Sequence, residues 1–595
     1  MRFNRFETSS MCSAATPKGQ RRRCVLGAGL ALAVTSVLPR AQTTSRSRYI
    51  LPDAPGWPDA SQWAELKKAV GGRLSPVTMP DLSDPAIQQL LTNPFYIGEQ
   101  AGLTQNSGWL DAWQSSPGAY VVAAESAADV AAAIDFARRH NLRLVVKGGG
   151  HSYAGASSAR GSLLIWTRPM NAITIHDAFA WQGSSAAPVP AVSVGAGCIW
   201  LDVYQAVTSG NGRHVQGGGC TTVGVAGLVQ GGGFGNFSKR YGLAAASLLE
   251  AEVVTADGRT RVVNATQEPD LFWALKGGGG GTFGVVTRLT LATHELPATV
   301  GAIKLDVRAH SDEAYRRLLA RFIDLYATRL FNPHWGGQVT VRPDNLLRVP
   351  MIFQDLEQDQ ARAQWQPLIE FLIANPNDYT GAESFEVHAI PARYSWDANF
   401  FRRYAPGAVD FDNRQGASAD HFWWTSDAPQ VGSFWYAFTS TWLPASLLRQ
   451  ENQHRFVDAW FAASRHWGLD LQFSKGLAGA PAEVIDAARS TAMNPDVVDA
   501  FGWAISAANG PPAFTGLQPP DLAKGAAFRS RVMNAMTALR AVTPSTGTYL
   551  NESDYFQTDW KEAFWGANYA RLLGIKQRYD PDGLFIVHHG VGSDI

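Results

Sequence analysis

A histidine and a cysteine each stand at the end of a glycine run in this 595-residue chain. The first run is Lys147-Gly148-Gly149-Gly150-His151-Ser152-Tyr153-Ala154-Gly155; the second is Gly217-Gly218-Gly219-Cys220-Thr221-Thr222-Val223-Gly224. Glycine enters positive φ without steric cost, so consecutive glycines after the apolar run Leu142-Arg143-Leu144-Val145-Val146 can turn several N–H groups toward one point. A concavity of that kind suits a pyrophosphate. Imidazole and thiol are then two nucleophilic groups that a ligand held there would meet. Each has a plainer reading, His151 as a loop histidine bonded to backbone and Cys220 as a buried thiol. Neither residue would be convincing alone; together, on separate glycine loops, they favour one shared ligand.

These two stretches resemble those of the covalent flavoprotein oxidases of the vanillyl-alcohol oxidase superfamily, in the berberine-bridge-enzyme-like branch. There a (R/K)GGGHSY-type loop and a GxC-(P/T)-TVGV stretch hold the two edges of an FAD ring. The resemblance implies FAD bound covalently through His151 and Cys220. It also implies Gly148, Gly149, Gly150, Ser152, Gly155, Gly219, Thr221, Val223, Gly224, Gly232, Gly235, Asn236 and Val286 as cofactor-binding positions. Lys147 stands where many relatives have Arg, and either cation can serve near the pyrophosphate. Thr221 replaces a frequent Pro. Val223 matches the position near the flavin C4a, where a small side chain resembles the oxygen-reactive members and Leu the dehydrogenases.

The tail from Tyr549-Leu550-Asn551-Glu552 to Tyr579-Asp580-Pro581-Asp582-Gly583-Leu584-Phe585 resembles the family's C-terminal motif, which sets a Tyr and an Asn near the ring. Tyr549 is the expected catalytic base with Asn551 as its positioning neighbour, since alternate residues of a Tyr-x-Asn strand share a face. An aromatic wall against the flavin is the other reading of Tyr549. A phenol with an ordinary pKa of ~10 needs donors or a cation to act as a base at neutral pH, and the sequence does not name that cation.

At this length at least two domains are expected. Lys plus Arg and Asp plus Glu both total 51, but seven of the basic residues and one acidic residue fall in residues 1–41, leaving 44 against 50 and a formal net of −6. That excludes nucleic acid as the main partner, because phosphate binding needs a basic excess. In the leading segment Arg21-Arg22-Arg23-Cys24-Val25-Leu26 precedes an apolar stretch, Gly27 to Leu38, too short to span a bilayer stably. The pattern reads as a twin-arginine signal over 1–41, so the mature protein is exported and carries no membrane segment; an uncleaved anchor is the alternative. Cys12 and Cys24 leave with that signal. A Cys198–Cys220 disulfide is possible in an exported protein, but Cys198 reads better as buried packing.

Residues 42–114 read as an irregular arm with one short helix near Ser61 to Val70 and no pattern that points to chemistry. Strand Ala119 to Ala123, a helix capped by Ser126 and strand Leu142 to Val146 then deliver the chain to the first glycine loop. Asp257-Gly258 marks a hairpin between Leu249 to Thr255 and Arg259 to Val263. The formal G-x-G-x-x-G at Gly279 to Gly284 follows a helix, Pro269 to Leu275, and precedes a strand, Val285 to Leu291. That reverses the order a dinucleotide-binding turn requires, so a nicotinamide site is rejected.

From about Ala298 to Thr543 glycines thin out and aromatics accumulate, among them Trp396, Phe400, Phe401, Trp423, Trp424, Trp435 and Trp442. Most are expected in a sheet core, the rest in a cleft. His388, His421 and His588-His589 lack metal-ligand spacing, so no metal is expected. The class is α+β. By resemblance, a PCMH-type FAD-binding domain of two α+β subdomains (115–297) precedes a substrate domain with an antiparallel sheet backed by helices (298–544), and 545–595 returns to the flavin. The expected function is an exported oxidase acting on an alcohol, sugar or natural product with O2. A dehydrogenase or oxidative cyclase on the same fold, or a non-catalytic flavin- or glycan-binding protein, remains as an alternative. Oligomeric state and substrate identity are not readable.

Overall fold

The computed structural model describes residues 48–544 and 547–594. The signal-like segment 1–41, with Cys12 and Cys24, lies outside the described residues. Among those described, no helix is long and apolar enough to cross a membrane.

Two sheets carry the glycine loops. The first has four strands in the order Leu74–Pro76, Tyr120–Ala123, Leu163–Trp166, Leu144–Lys147, the last three mutually parallel. Helix Ala127–Arg139 forms because Ser126 and Asp129 make a reciprocal capping box and because Val130, Ala133, Ile134 and Ala137 fall on one face. That face is buried on this sheet beside Trp63 and Leu66 of helix Ala60–Ala69. Strand Leu144–Lys147 ends directly at Gly148.

The second sheet has five antiparallel strands in the order Thr260–Asn264, Leu248–Val254, Val285–Ala292, Val189–Gly195, Ile173–Phe179. Its first hairpin turns at Asp257-Gly258, with Gly258 at φ +77° and Asp257 Oδ1 accepting from the Thr255 hydroxyl at 2.7 Å. Helices Trp560–Trp565 and Tyr569–Tyr579 bring Trp565, Leu572 and Ile575 into the core of this sheet. Helix Pro269–Leu275 precedes Gly277 to Gly281 and strand Val285–Ala292 follows, the order that argued against a nicotinamide site.

The third sheet has twelve strands and is the aromatic part of the chain. Its spine is Gly432–Pro444, thirteen residues of which the first twelve are buried, paired antiparallel with Ala500–Gly510. Helices Asp312–Leu325, Gln450–His466 and Leu522–Arg540 back it through Leu318, Phe322, Phe456, Trp460 and Met536. Trp435 and Trp442 are core residues of this sheet.

Residues 42–114 depart from expectation. They hold a strand, Asn106–Trp109, that pairs parallel with Gly432–Pro444 and supplies the only parallel register that this spine has among its pairings. An arm without periodicity reads as irregular; it becomes ordered because a sheet edge offers it hydrogen bonds.

Three buried lysines fasten the parts together. Lys239 Nζ donates to Phe473 O and Phe501 O at 2.6 and 2.8 Å, tying the second sheet's surroundings to the third sheet. Lys576 Nζ donates to Thr282 O at 2.7 Å and Phe585 O at 2.6 Å and pairs with Asp580. Lys147 Nζ donates to Gln100 O, Ala101 O and Leu103 O at 2.7–2.9 Å. Three ammonium donors meeting three carbonyls satisfy a buried cation. Lys147 therefore clamps the arm and is absent from the cavity wall described next, which corrects the expectation that it serves near a pyrophosphate.

Candidate active site

The two glycine loops touch. A Cβ on Gly149 would lie 2.7 Å from Gly224 N and 2.8 Å from Thr222 O, so both positions need glycine for the loops to meet. Gly150 sits at φ +75°, reversing the chain so that His151 faces the second loop. His151 Nε2 lies 3.0 Å from Thr222 Oγ1, and burial lowers the imidazole to about 4, leaving it neutral. The second loop is anchored from behind: Trp200 N donates to Val223 O, Leu201 N to Thr221 O and Val225 N to Cys198 O, each at 3.0 Å. Cys198 is buried and forms no disulfide, in keeping with a packing role.

Both loops open on a single cavity of about 1060 Å³. Ligand pockets span about 300–1,000 Å³, so the space admits a cofactor and a substrate together. His151, Cys220, Gly148, Gly149, Gly150, Ser152, Gly155, Gly219, Thr221, Val223, Gly224, Gly235, Asn236, Val286, Tyr549 and Asn551 all line it. Gly232 does not. A Cβ there would meet Met493 Sδ at 2.1 Å, so this glycine permits packing behind the wall.

The glycines leave room for a flat ligand. A Cβ on Gly227 would meet nothing within 4 Å and one on Gly219 nothing nearer than 3.6 Å, so both face empty space. Gly279, Gly280 and Gly281 form a further stretch of the wall. Backbone on several sides with two nucleophilic side chains fits a dinucleotide flavin.

Tyr549 is buried, its ring edge-on to Phe234 at 5.0 Å. Asn551 Nδ2 donates to Tyr549 Oη at 2.9 Å. The contact does not arise from a strand: Leu550–Glu552 is a 3-10 turn, which brings residues 549 and 551 together by curvature rather than by a period of two. A cation stands beside the ring: Lys475 pairs with Glu552 and lies 5.7 Å from the Tyr549 ring centre. Burial and the Glu552 charge nonetheless push the phenol above its ordinary pKa, and only Asn551 and the Gly233 N–H pull it back.

The structure brings in three residues that sequence reasoning missed. Asn106 of the arm donates from Nδ2 to His151 O at 3.0 Å and Ser152 O at 3.2 Å, while its Oδ1 accepts from Trp435 Nε1 at 2.7 Å. It bolts the first loop to the third sheet. Lys475 follows the strand Leu469–Gln472 with only a following glycine as a signal. Asp427 lies in the turn Thr425–Gln430, a polar residue just after the aromatic pair Trp423-Trp424. Its side chain lines the cavity, and burial pushes the carboxyl up to about 6. Cys220 is open to the cavity, yet protein encloses its thiol enough to push it well up.

The aromatic residues divide. Trp396, Phe400, Phe401, Trp423 and Trp424 line the cavity, with Trp396 stacked on Tyr204 at 4.2 Å. Away from the cavity, Glu99, Asp412 and His421 bring potential ligand atoms within 4.8 Å of one another. Arg414 already fills this group, bonding Asp412 and Glu99.

Residues 117–264 match the family described as FAD binding domain, and residues 548–592 the family described as berberine and berberine like. A VAO-type flavoprotein oxidase, VAO615, of Thermothelomyces thermophilus is 31% identical over 95% of this chain and 96% of its own length. The crystal structure of the VAO-type flavoprotein MtVAO615 from Myceliophthora thermophila C1 superposes with a TM-score of 0.71 at 27% identity, covering 92% of this chain and 97% of that one. Glucooligosaccharide oxidase from Acremonium strictum, described with a 6-S-cysteinyl, 8α-N1-histidyl FAD, shares the fold at a TM-score of 0.65 and 18% identity, covering 89% and 99%. The chain belongs to the VAO-type, berberine-bridge-like family of FAD-linked oxidoreductases.

Proposed function

We propose that this protein is an exported oxidase that holds FAD through two covalent bonds, at His151 and Cys220, removes hydride from an alcohol, sugar or natural product, and reduces O2 to H2O2. In this reading 115–297 and 545–595 bind the flavin, 298–544 bind the substrate, and 1–41 is a twin-arginine signal. The observation that carries it is the convergence of His151, Cys220 and the Tyr549–Asn551 pair on one cavity. Support for the histidyl bond comes from Thr222, which engages Nε2 and leaves Nδ1 of a neutral imidazole for a ligand. The doubly linked flavin of the glucooligosaccharide oxidase supports the same reading.

When bound, FAD supplies the hydride acceptor and the site of O2 reduction. Tyr549 Oη takes the substrate hydroxyl proton as the carbonyl forms, which demands hydrogen-bond reach. The Asn551 amide donates to that oxygen, and the Lys475 ammonium beside the ring offsets the Glu552 charge. Asp427 is a second candidate for the base, favoured by a carboxyl held at about 6, near the operating range of a general base.

Acid-precipitated protein should stay yellow. His151→Ala and Cys220→Ala should each retain flavin on precipitation, and the double variant should release it. Release from either single variant excludes two independent links. Anaerobic mixing with sugars, secondary alcohols and phenolic compounds should bleach the flavin with one class; no bleaching by any favours a non-catalytic binding protein.

A further inference from the structure

We propose that Tyr204 and Trp424 are positioning residues for the covalent bond at Cys220: their side chains hold the two carbonyls that precede the cysteine and so fix where its sulfur meets the flavin C6 carbon. The inference rests on the reading of Cys220 as a flavin link. Tyr204 Oη donates to Gly218 O at 2.7 Å, and Trp424 Nε1 donates to Gly219 O at 2.9 Å. No backbone N–H among the described residues donates to either carbonyl.

These two bonds complete a frame around one residue. Beyond Cys220 the chain is held by backbone, Leu201 N on Thr221 O and Trp200 N on Val223 O. Ahead of it stand three glycines, the residue type with the most backbone freedom to lose. Gly219 O belongs to the planar peptide unit that ends at Cys220 N, so a donor on it fixes the plane from which the cysteine leaves.

The donors are themselves held in place. Tyr204 stacks on Trp200 at 5.3 Å and on Trp396 at 4.2 Å, and Trp396 meets Trp424 edge-on at 5.7 Å. The loop packs on the far end of this series, since a Cβ on Gly217 would lie 2.3 Å from the Trp200 ring. Burial holds the Tyr204 phenol well above its ordinary pKa, so its proton stays available for the bond. The adjacent Trp423 also lines the cavity, yet its buried Nε1 meets no acceptor among the described residues. Of two neighbouring indoles, only Trp424 reaches the cysteine loop.

Attachment of Cys220 breaks its S–H bond and the flavin C6–H bond, forms one S–C6 bond, and sends two hydrogens with two electrons to dioxygen as hydrogen peroxide. The sulfur must therefore lie at one particular carbon, and a misplacement of about 1 Å costs on the order of 10²-fold in such a step. His151 is on the other loop, set by the turn at Gly150 and the Asn106 bonds, and uses neither carbonyl. The two links should separate when the Tyr204 and Trp424 donors are removed.

Mass spectrometry of flavin peptides from protein harvested at intervals after induction follows both links as rates, without measuring turnover. A double variant, Tyr204→Phe with Trp424→Phe, keeps both positions aromatic and removes both donors. Thioether formation at Cys220 should fall about tenfold or more relative to the His151 link, and about threefold in each single variant. A wild-type ratio of the two links, or an equal fall in both, overturns the proposal. Trp423→Phe makes the same exchange at the neighbour with no bond to lose and should leave the ratio at its wild-type value. A ratio lowered there as far as in Trp424→Phe assigns the effect to ring size and overturns the proposal too. Should the double variant not accumulate, the single variants carry the comparison. Wild type without a thioether refutes the two-link reading itself, a failure visible before any variant is made.

Discussion

The glycine-rich and aromatic walls of the cavity meet the ligand by opposite means. On the glycine side the backbone itself is the surface: Gly149 touches Gly224, and Gly219 and Gly227 leave space that any side chain would narrow. On the aromatic side the surface is side chains: Trp423 and Trp424 from a separate two-stranded sheet, Val409–Phe411 with Phe422–Trp424, and Trp396 from the turn before helix Ala398–Tyr404. A backbone surface tolerates almost no substitution and is the same for every substrate. A side-chain surface can be rebuilt residue by residue, which suits the part of a site that selects what is oxidised. Two charged groups, Asp427 and Lys475, also line the cavity, and the Lys475 ammonium lies 5.7 Å from the Tyr549 ring centre.

Breaking the glycine wall should have the largest effect. Gly149→Ala forces a Cβ to 2.7 Å from Gly224 N, and because backbone on both sides resists, the cost should be on the order of 3 kcal/mol. The expected outcome is a lower thermal midpoint with little covalent flavin; normal flavin content would show that the loops can separate.

Next comes the base. Tyr549→Phe keeps the ring against Phe234 and should lower anaerobic flavin reduction by about 10²-fold with little change in the flavin spectrum. A near-wild-type rate transfers the role to Asp427. Lys475→Met, which leaves Glu552 unpaired beside the phenol, should cost about tenfold in the same measurement, the equivalent of one pKa unit.

Within the aromatic half a buried carboxylate without access to the cavity makes a control. Asp470, in strand Leu469–Gln472, accepts from Thr340 Oγ1, and burial pushes it up to about 6. The folded state thus holds this proton more tightly than the unfolded chain. Its stabilisation is full below about pH 4 and is lost as pH rises through 6. Asp470→Asn should raise the thermal midpoint at pH 7 by about 2 °C, with flavin content unchanged. A lower midpoint at pH 7 would mean the carboxylate is better paired than its burial implies.

The smallest effect concerns oxygen. Val223 lines the cavity two residues beyond Thr221, and Val223→Leu should slow reoxidation of reduced enzyme in air while leaving reduction by substrate nearly unchanged. An unaltered reoxidation rate removes the side-chain-size argument for an oxidase.

What could be read from sequence was local. The capping box at Ser126, the Asp257-Gly258 turn, the Pro269–Leu275 helix and the glycine loops around His151 and Cys220 each announce themselves within a few residues, because caps, positive φ and close approach select residue types directly. The Tyr549–Asn551 contact was anticipated for the wrong geometry, since a 3-10 turn and a strand can both bring alternate residues into reach. Tertiary structure decided the rest. Lys147 sits beside the glycine loop in sequence but is drawn backward by three carbonyls of the arm. Asn106 and Lys475 come from the arm and a strand end, 45 and 74 residues from the groups they meet, His151 and Tyr549, and Asp427 reaches the cavity from a turn. No local pattern marks them, because the free energy of a buried polar group depends on which distant partner the fold delivers to it.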